Sequence, residues 1–194
     1  MKTRRFLLFL CLSIFFISCT KDDDTSAVDL IKSIQAAVQP NNALRVDITL
    51  SLKKESSCRI HYWKEGDESS KKQTSVSEEA SSIVMTLVFL EPKTTYHFQV
   101  EVTSGSESVV SDEYKFTTEN LPVEVPVCSV ISDDLKEDVA GYILLMQPEN
   151  PGYVEVIDTK GTVVWYEKMH ENVIVATFDS NTNTFSCITG NHPG

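Results

Sequence analysis

The sequence is short of the residues that bend and punctuate a chain, with seven glycines and seven prolines in 194 residues. That composition excludes collagen-like and glycine- or proline-rich low-complexity classes. Tryptophan occurs twice and histidine four times, and no two cysteines stand in a Cys-x-x-Cys spacing. The usual zinc and dithiol redox pairs are therefore missing, and neither a metal site nor a cofactor site is expected. Basic residues are scarce as well, 17 Lys and Arg against 28 Asp and Glu, for a formal net charge of −11. A surface of that sign repels phosphate backbones, so nucleic acid is excluded as the expected partner. No apolar run reaches the roughly 20 residues that a spanning helix requires.

What is present begins with an address. "MKTRR" places Lys2, Arg4 and Arg5 ahead of "FLLFLCLSIFFI", a twelve-residue run of the length of a signal h-region. The run ends in "FISC", which resembles the lipobox of bacterial lipoproteins. That resemblance implies cleavage after residue 18 and acylation of Cys19, with Phe16 standing where the family usually has leucine. Several acyl chains at about 0.8 kcal/mol per buried methylene make such an anchor effectively permanent. The following "TKDDD" is repelled by anionic headgroups and reads as a solvated spacer or an address. It resembles the lysine-plus-acidic export signal of Bacteroidetes-type surface lipoproteins. The expected location is the bacterial cell envelope, lipid-anchored, on the periplasmic or surface face of the outer membrane. Without the three basic residues of the signal, 14 of the 17 remain against 28 acids. Cys11 leaves with the signal and Cys19 carries lipid, leaving Cys58, Cys128 and Cys187. An odd number without metal-ligand spacing predicts small buried apolar side chains, with one bridge through Cys128 left open.

Residues 19–30 form the acidic tether, and residues 31–118 read as strands. In "LRVDITLSLKK", Leu44, Val46, Ile48, Leu50 and Leu52 fall on one face and Arg45, Asp47, Thr49, Ser51 and Lys53 on the other. Such period-two alternation marks a half-buried strand of an antiparallel sheet. "CRIHYWK" repeats it with Cys58, Ile60 and Tyr62 inward, and "YHFQVEV" with Tyr96, Phe98, Val100 and Val102 inward. The first segment, "IKSIQAAV", is read as a strand although Ile31, Ile34 and Val38 also fit a helical stripe. His61 and Trp63 share an outward face. They are either a ligand platform or else cover for the sheet or an interdomain contact, and the ligand platform is the less favoured; His97, also outward, reads as solvated.

"LEPKTTYHFQVEV" carries the pattern Leu90, Pro92, Thr94, Tyr96, which resembles the corner before the sixth strand of fibronectin type III domains. The resemblance implies a seven-stranded, immunoglobulin-like β-sandwich in which the tyrosine hydroxyl bonds to nearby backbone. Fold alone assigns no function, since such modules serve as spacers or adhesive domains.

Residues 119–140, with two prolines and a cluster of acids, read as an extended linker. Beyond Gly141 the pattern changes. "GYILLMQ" predicts a strand buried on both faces, and "YVEVID", "TKG" and "TVVWYEK" predict a hairpin with Gly161 in its turn. "VIVATFD" and "TFSCIT" predict a second hairpin. Together they amount to about four strands, the content of one propeller blade.

Gly141, Tyr142, Asn150, Pro151, Gly152, Tyr153, Asp158, Gly161, Val163, Val164 and Trp165 resemble the opening of the β-propeller in bacterial arylsulfotransferases. That family also carries a β-sandwich ahead of the propeller. The resemblance implies an all-β protein of sandwich plus propeller, and transfer of a sulfuryl group between small phenols through a transiently sulfated histidine. Such a histidine is a covalent nucleophile, flanked by groups that stabilise charge on the sulfuryl oxygens. No catalytic position maps onto this sequence, and the tail histidines His170 and His192 read as loop residues. A propeller closes with about four to eight blades. The expectation is therefore an N-terminal part of a longer protein, cut by a frameshift, an early stop or incomplete gene assembly, and inactive as written. The alternative is a non-enzymatic envelope lipoprotein whose sandwich binds a glycan or protein partner. Acceptor and oligomeric state are open.

Overall fold

The computed structural model describes residues 30–129, 141–148, 151–179 and 184–190. The signal segment, Cys19 with its lipobox, the tether up to residue 29, residues 130–140 of the linker, Asn150 and His192 lie outside the described residues. The described chain is an all-β sandwich followed by two small sheets.

Seven strands make the sandwich: β1 (Ile31–Gln39), β2 (Asn42–Lys64), β3 (Asp67–Gln73), β4 (Ala80–Leu87), β5 (Thr95–Ser104), β6 (Glu107–Val110) and β7 (Tyr114–Thr117). All neighbours are antiparallel, and β2 serves both layers. Its first half pairs with β1 and β4, and its second half with β3 and β5; β5 in turn carries β6 and β7. The change of partner falls where Lys53, Lys54 and Glu55 are exposed in succession and the register with β4 breaks. Three charged residues in a row interrupt the alternation, so the strand bends out of one sheet and into the other.

The alternation decides what is inside. Leu44, Val46, Ile48, Leu50, Leu52, Cys58, Ile60, Phe98, Val100 and Val102 are buried almost completely. A side chain of that size contributes about 1.5–3 kcal/mol when fully buried. β1 is a strand and not a helix, because β2 offers it a ladder from Ser33 opposite Ser51 to Val38 opposite Val46. The corner before β5 is tied by Tyr96, whose hydroxyl accepts the Glu91 N–H at 2.9 Å. Thr118 closes it further, donating to the Glu91 carbonyl at 2.6 Å and accepting the Thr94 N–H at 2.9 Å.

The described residues of the tail form five strands: β8 (Tyr142–Gln147), β9 (Tyr153–Asp158), β10 (Val163–Lys168), β11 (Val173–Asp179) and β12 (Thr184–Thr189). The β9–β10 hairpin forms as the turn residues dictate. Asp158 Oδ1 accepts the N–H groups of Lys160 at 2.9 Å and Thr162 at 2.8 Å, and Gly161 takes a φ of 82°. An aspartate that caps its own turn and a glycine free of Cβ repulsion fix this connection. The second hairpin, β11 with β12, is also present.

Two expectations fail here. β8 is not buried on both faces: it is the edge strand of a sheet ordered β10-β9-β8, and Tyr142, Ile143 and Met146 are about half exposed. β9 takes the central, covered place instead. The strands also do not form one four-stranded blade; they divide into a three-stranded and a two-stranded sheet. The cause lies after β10. Met169 N–H donates to the Gly152 carbonyl at 2.8 Å, and the backbone at Glu171 and Val173 passes so close that a Cβ on Gly152 would meet atoms at 2.8 Å. The chain thereby crosses the start of β9 and begins β11 on the β8 side, away from the free edge of β10.

Candidate functional site

The residues that act together lie where the tail sheet meets the end of the sandwich. β2 enters this joint with Asn42, whose amide nitrogen donates to the Tyr166 carbonyl at 2.9 Å while its oxygen accepts the Leu44 N–H at 3.0 Å. Ala43 N–H donates to the Tyr166 hydroxyl at 2.9 Å. Arg45 pairs with Glu167 and lies 5.5 Å from the centre of the Trp165 ring. Beneath these bonds Ala43, Leu44, Val125, Tyr153, Ile157, Val163 and Tyr166 form one buried cluster. Val125 shows that the start of the expected linker is seated in the joint, where Glu119 N–H also reaches the Ala43 carbonyl.

One residue of the joint breaks the pattern of the rest. Glu155 is fully buried in the middle of β9, opposite Tyr166 on one side and Leu145 on the other, and neither carboxyl oxygen has a hydrogen-bond partner. The Tyr153 hydroxyl, two residues away on the same face, is also buried without a partner. Burial pushes the Glu155 carboxyl from 4.5 up to about 7, because the charged form is the one that loses most on leaving water.

A second part of the joint is a small cleft. Lys72 Nζ donates to the Tyr142 hydroxyl at 3.2 Å, Phe89 packs on the Tyr142 ring at 5.2 Å, and Lys64 pairs with Glu91. The cleft's volume is about 60 Å³, enough for a few waters and well below the several hundred Å³ of a typical small-molecule pocket. Phe89 holds a φ of 58°, a left-handed conformation that a bulky residue adopts only where its surroundings impose it.

Around Trp63 the outward face of the sandwich is closed. Trp63, only 8% exposed, stacks on His97 with centroids 5.7 Å apart and lies under the Lys71 ammonium at 4.7 Å. That leaves no open ring face for a ligand, and the covering reading of Trp63 holds. His97 is not solvated as expected: its ring is mostly covered, pairing with Glu113 and lying 3.5 Å from Glu65. β-Strand register explains this, since His97 stands directly opposite Trp63. His61 bonds Glu101 at 3.0 Å, which with Ser108 holds that carboxyl below its usual range.

Cys58 is buried, and burial pushes its thiol up to about 11. Cys128 and Cys187 are exposed, against the expectation of buried side chains, because neither lies on a covered strand face. All three are free. His170 is exposed in the loop after β10. Among the described residues no group of three or more His, Cys, Asp or Glu is placed to hold a metal. Sequence reading missed the joint. Glu155 carried a signal, an acid alternating in phase with Tyr153 and Ile157 in an otherwise apolar strand. The Asn42–Tyr166 contact spans 124 residues and carried none.

No protein-family model matches the chain, and no curated protein matches it. Among solved structures, a computationally redesigned β-sandwich protein aligns at 18% identity over 47% of this chain and 96% of its own, with a TM-score of 0.37. The sensor domain of the anti-sigma factor RsgI4 in Pseudobacteroides cellulosolvens aligns at 24% identity over 51% of this chain and 100% of its own, with a TM-score of 0.34.

Proposed function

We propose that this chain supplies the anchor, the pedestal and the first propeller-type strands of an arylsulfotransferase-like envelope lipoprotein, and itself transfers no sulfuryl group. One observation carries the reading: the segment that resembles the propeller opening is the segment through which the tail is seated. Gly152 permits the close crossing, Tyr153 and Val163 enter the buried cluster, and Tyr166 binds the first residues of β2. A sandwich joined in this way orients whatever the tail carries, while lipid on Cys19 holds the pedestal to the membrane.

The placement of the described histidines supports the negative half. A sulfuryl acceptor needs an accessible imidazole nitrogen beside donors for the developing charge. His61 and His97 are engaged with carboxylates on the outer sheet, and His170 stands alone on a loop. Purified residues 20–194 should give no transfer from 4-nitrophenyl sulfate to phenol, and measurable turnover would overturn the pedestal role. Labelled palmitate should enter the full chain in a bacterial host and be lost in Cys19→Ser; labelling that survives the substitution would remove the anchor.

A further inference from the structure

Glu155 stands at the centre of β9, a strand of the tail that is covered on both faces. Side chains alternate along β9, so Tyr153, Glu155 and Ile157 share one face, and Tyr153 and Ile157 are members of the cluster closed by Ala43, Leu44 and Val125 of the sandwich side. The other face, with Val154 and Val156, is turned to Trp165 and to the β11–β12 hairpin. Glu155 thus points into the contact between tail sheet and sandwich, with both oxygens unpartnered and no part of it exposed.

The groups that face it offer an ionised carboxylate nothing. On its own strand the titratable neighbours are Tyr153 and, at the end, Asp158. β10 brings Tyr166, Glu167 on the opposite face, and Lys168 at its exposed end. β8 places Leu145 opposite, with Tyr142 at the far end of the ladder. From the sandwich side come Ala43, Leu44 and Arg45, the last committed to Glu167, and the segment leading to Val125 contributes Glu124. The start of β11 passes at Gly152 with the buried, apolar Val173. A neutral carboxyl left unpaired there costs on the order of 1–3 kcal/mol, while an unpaired charge costs far more and is relieved either by a proton or by access to water.

We propose that Glu155 is a proton-operated latch between the tail sheet and the sandwich: protonated, it lets the sheet stay seated, and loss of the proton unseats it. The direction follows from where the proton is held more tightly. Seated, the carboxyl titrates at about 7; unseated and solvated, it returns to about 4.5. Unseating is therefore least below the lower value, grows by up to about tenfold per pH unit between the two, and levels off above the higher one. Over the whole window the opened population rises by about 300-fold.

Hydrogen exchange on the full chain between pH 4 and 8.5, corrected for intrinsic amide rates, reads this directly at Ala43 and along β9 and β10. Protection of those amides should fall about a hundredfold between pH 4.5 and 7 and then hold steady, while the β2–β5 ladder stays protected. Glu155→Gln, neutral and of equal size, should abolish the fall. The carboxyl carbon shift of Glu155 in the unaltered protein gives a second reading, independent of whether the variant folds, and should titrate with a midpoint near 7. A midpoint near 4.5, tail protection unchanged across the window, or a Gln variant that follows the unaltered protein would each overturn the latch.

Discussion

In the sandwich, every inward residue of β2 and β5 from Val46 to Val102 meets a facing sheet, whereas in the tail Ile143 and Met146 of β8 and Ile174, Val175, Phe178 and Ile188 of β11 and β12 remain about half exposed. Both regions are antiparallel hairpins with the same period-two pattern. The difference is the second layer. A sheet's apolar face is worth little until something covers it, and β9 shows this within the tail, since it lies between the sandwich on one face and β11–β12 on the other. The largest test of the contrast is a pair of truncations read by chemical denaturation. Phe98→Ala should remove about 3–5 kcal/mol from the sandwich transition. Ile188→Ala, on an uncovered face, should change stability by no more than about 0.5 kcal/mol. Equal losses would mean that the tail's faces are covered in solution and that the contrast is false.

The next effects separate the joint from the body. Gly152→Ala places a Cβ 2.8 Å from the Glu171 carbonyl and the Val173 side chain, and it should cost about 1–3 kcal/mol of tail seating through overpacking. Limited proteolysis should then cut the tail faster while the sandwich core survives; an unchanged cleavage rate would show that the crossing relaxes freely. Tyr96→Phe leaves the Glu91 N–H without its acceptor inside the sandwich corner and should cost about 1–2 kcal/mol there. Its effect should appear in the sandwich transition and not in tail proteolysis.

Legibility divides along the same line. The sandwich could be read from residues alone, because alternation in "LRVDITLSLKK" and "YHFQVEV" reports burial directly when a facing sheet exists, and because Leu90, Pro92, Thr94 and Tyr96 encode a local corner. The β9–β10 hairpin could be read for the same reason: Asp158 and Gly161 act within four residues of each other. β8 could not. Its run of Tyr142, Ile143, Leu144, Leu145 and Met146 states that burial is available but not whether a second layer supplies it. The split of the tail into two sheets was hidden too, since it depends on the chain crossing Gly152, a contact across some twenty residues that no periodicity expresses. His97 departs from expectation on the same ground. An outward place on a strand predicts solvation, but register sets the ring against Trp63.

The smallest expected effect concerns the charge pair that bridges the two regions. Arg45 and Glu167 are partly exposed, and Arg45 also covers Trp165. Partly solvated pairs of this kind contribute about 0.2–1 kcal/mol and weaken with salt. If the joint is held by its buried cluster and the Asn42 and Tyr166 bonds, a double-mutant cycle of Arg45→Met and Glu167→Gln should give a coupling below about 1 kcal/mol that shrinks further in 1 M salt. Methionine keeps most of the apolar stem over the indole, so the cycle isolates charge from packing. A salt-resistant coupling of several kcal/mol would instead make the seating electrostatic. In that case the ionisation of Glu155, which adds a like charge on the strand next to Glu167, though on the opposite face, would act on the pair as well as on the apolar contact.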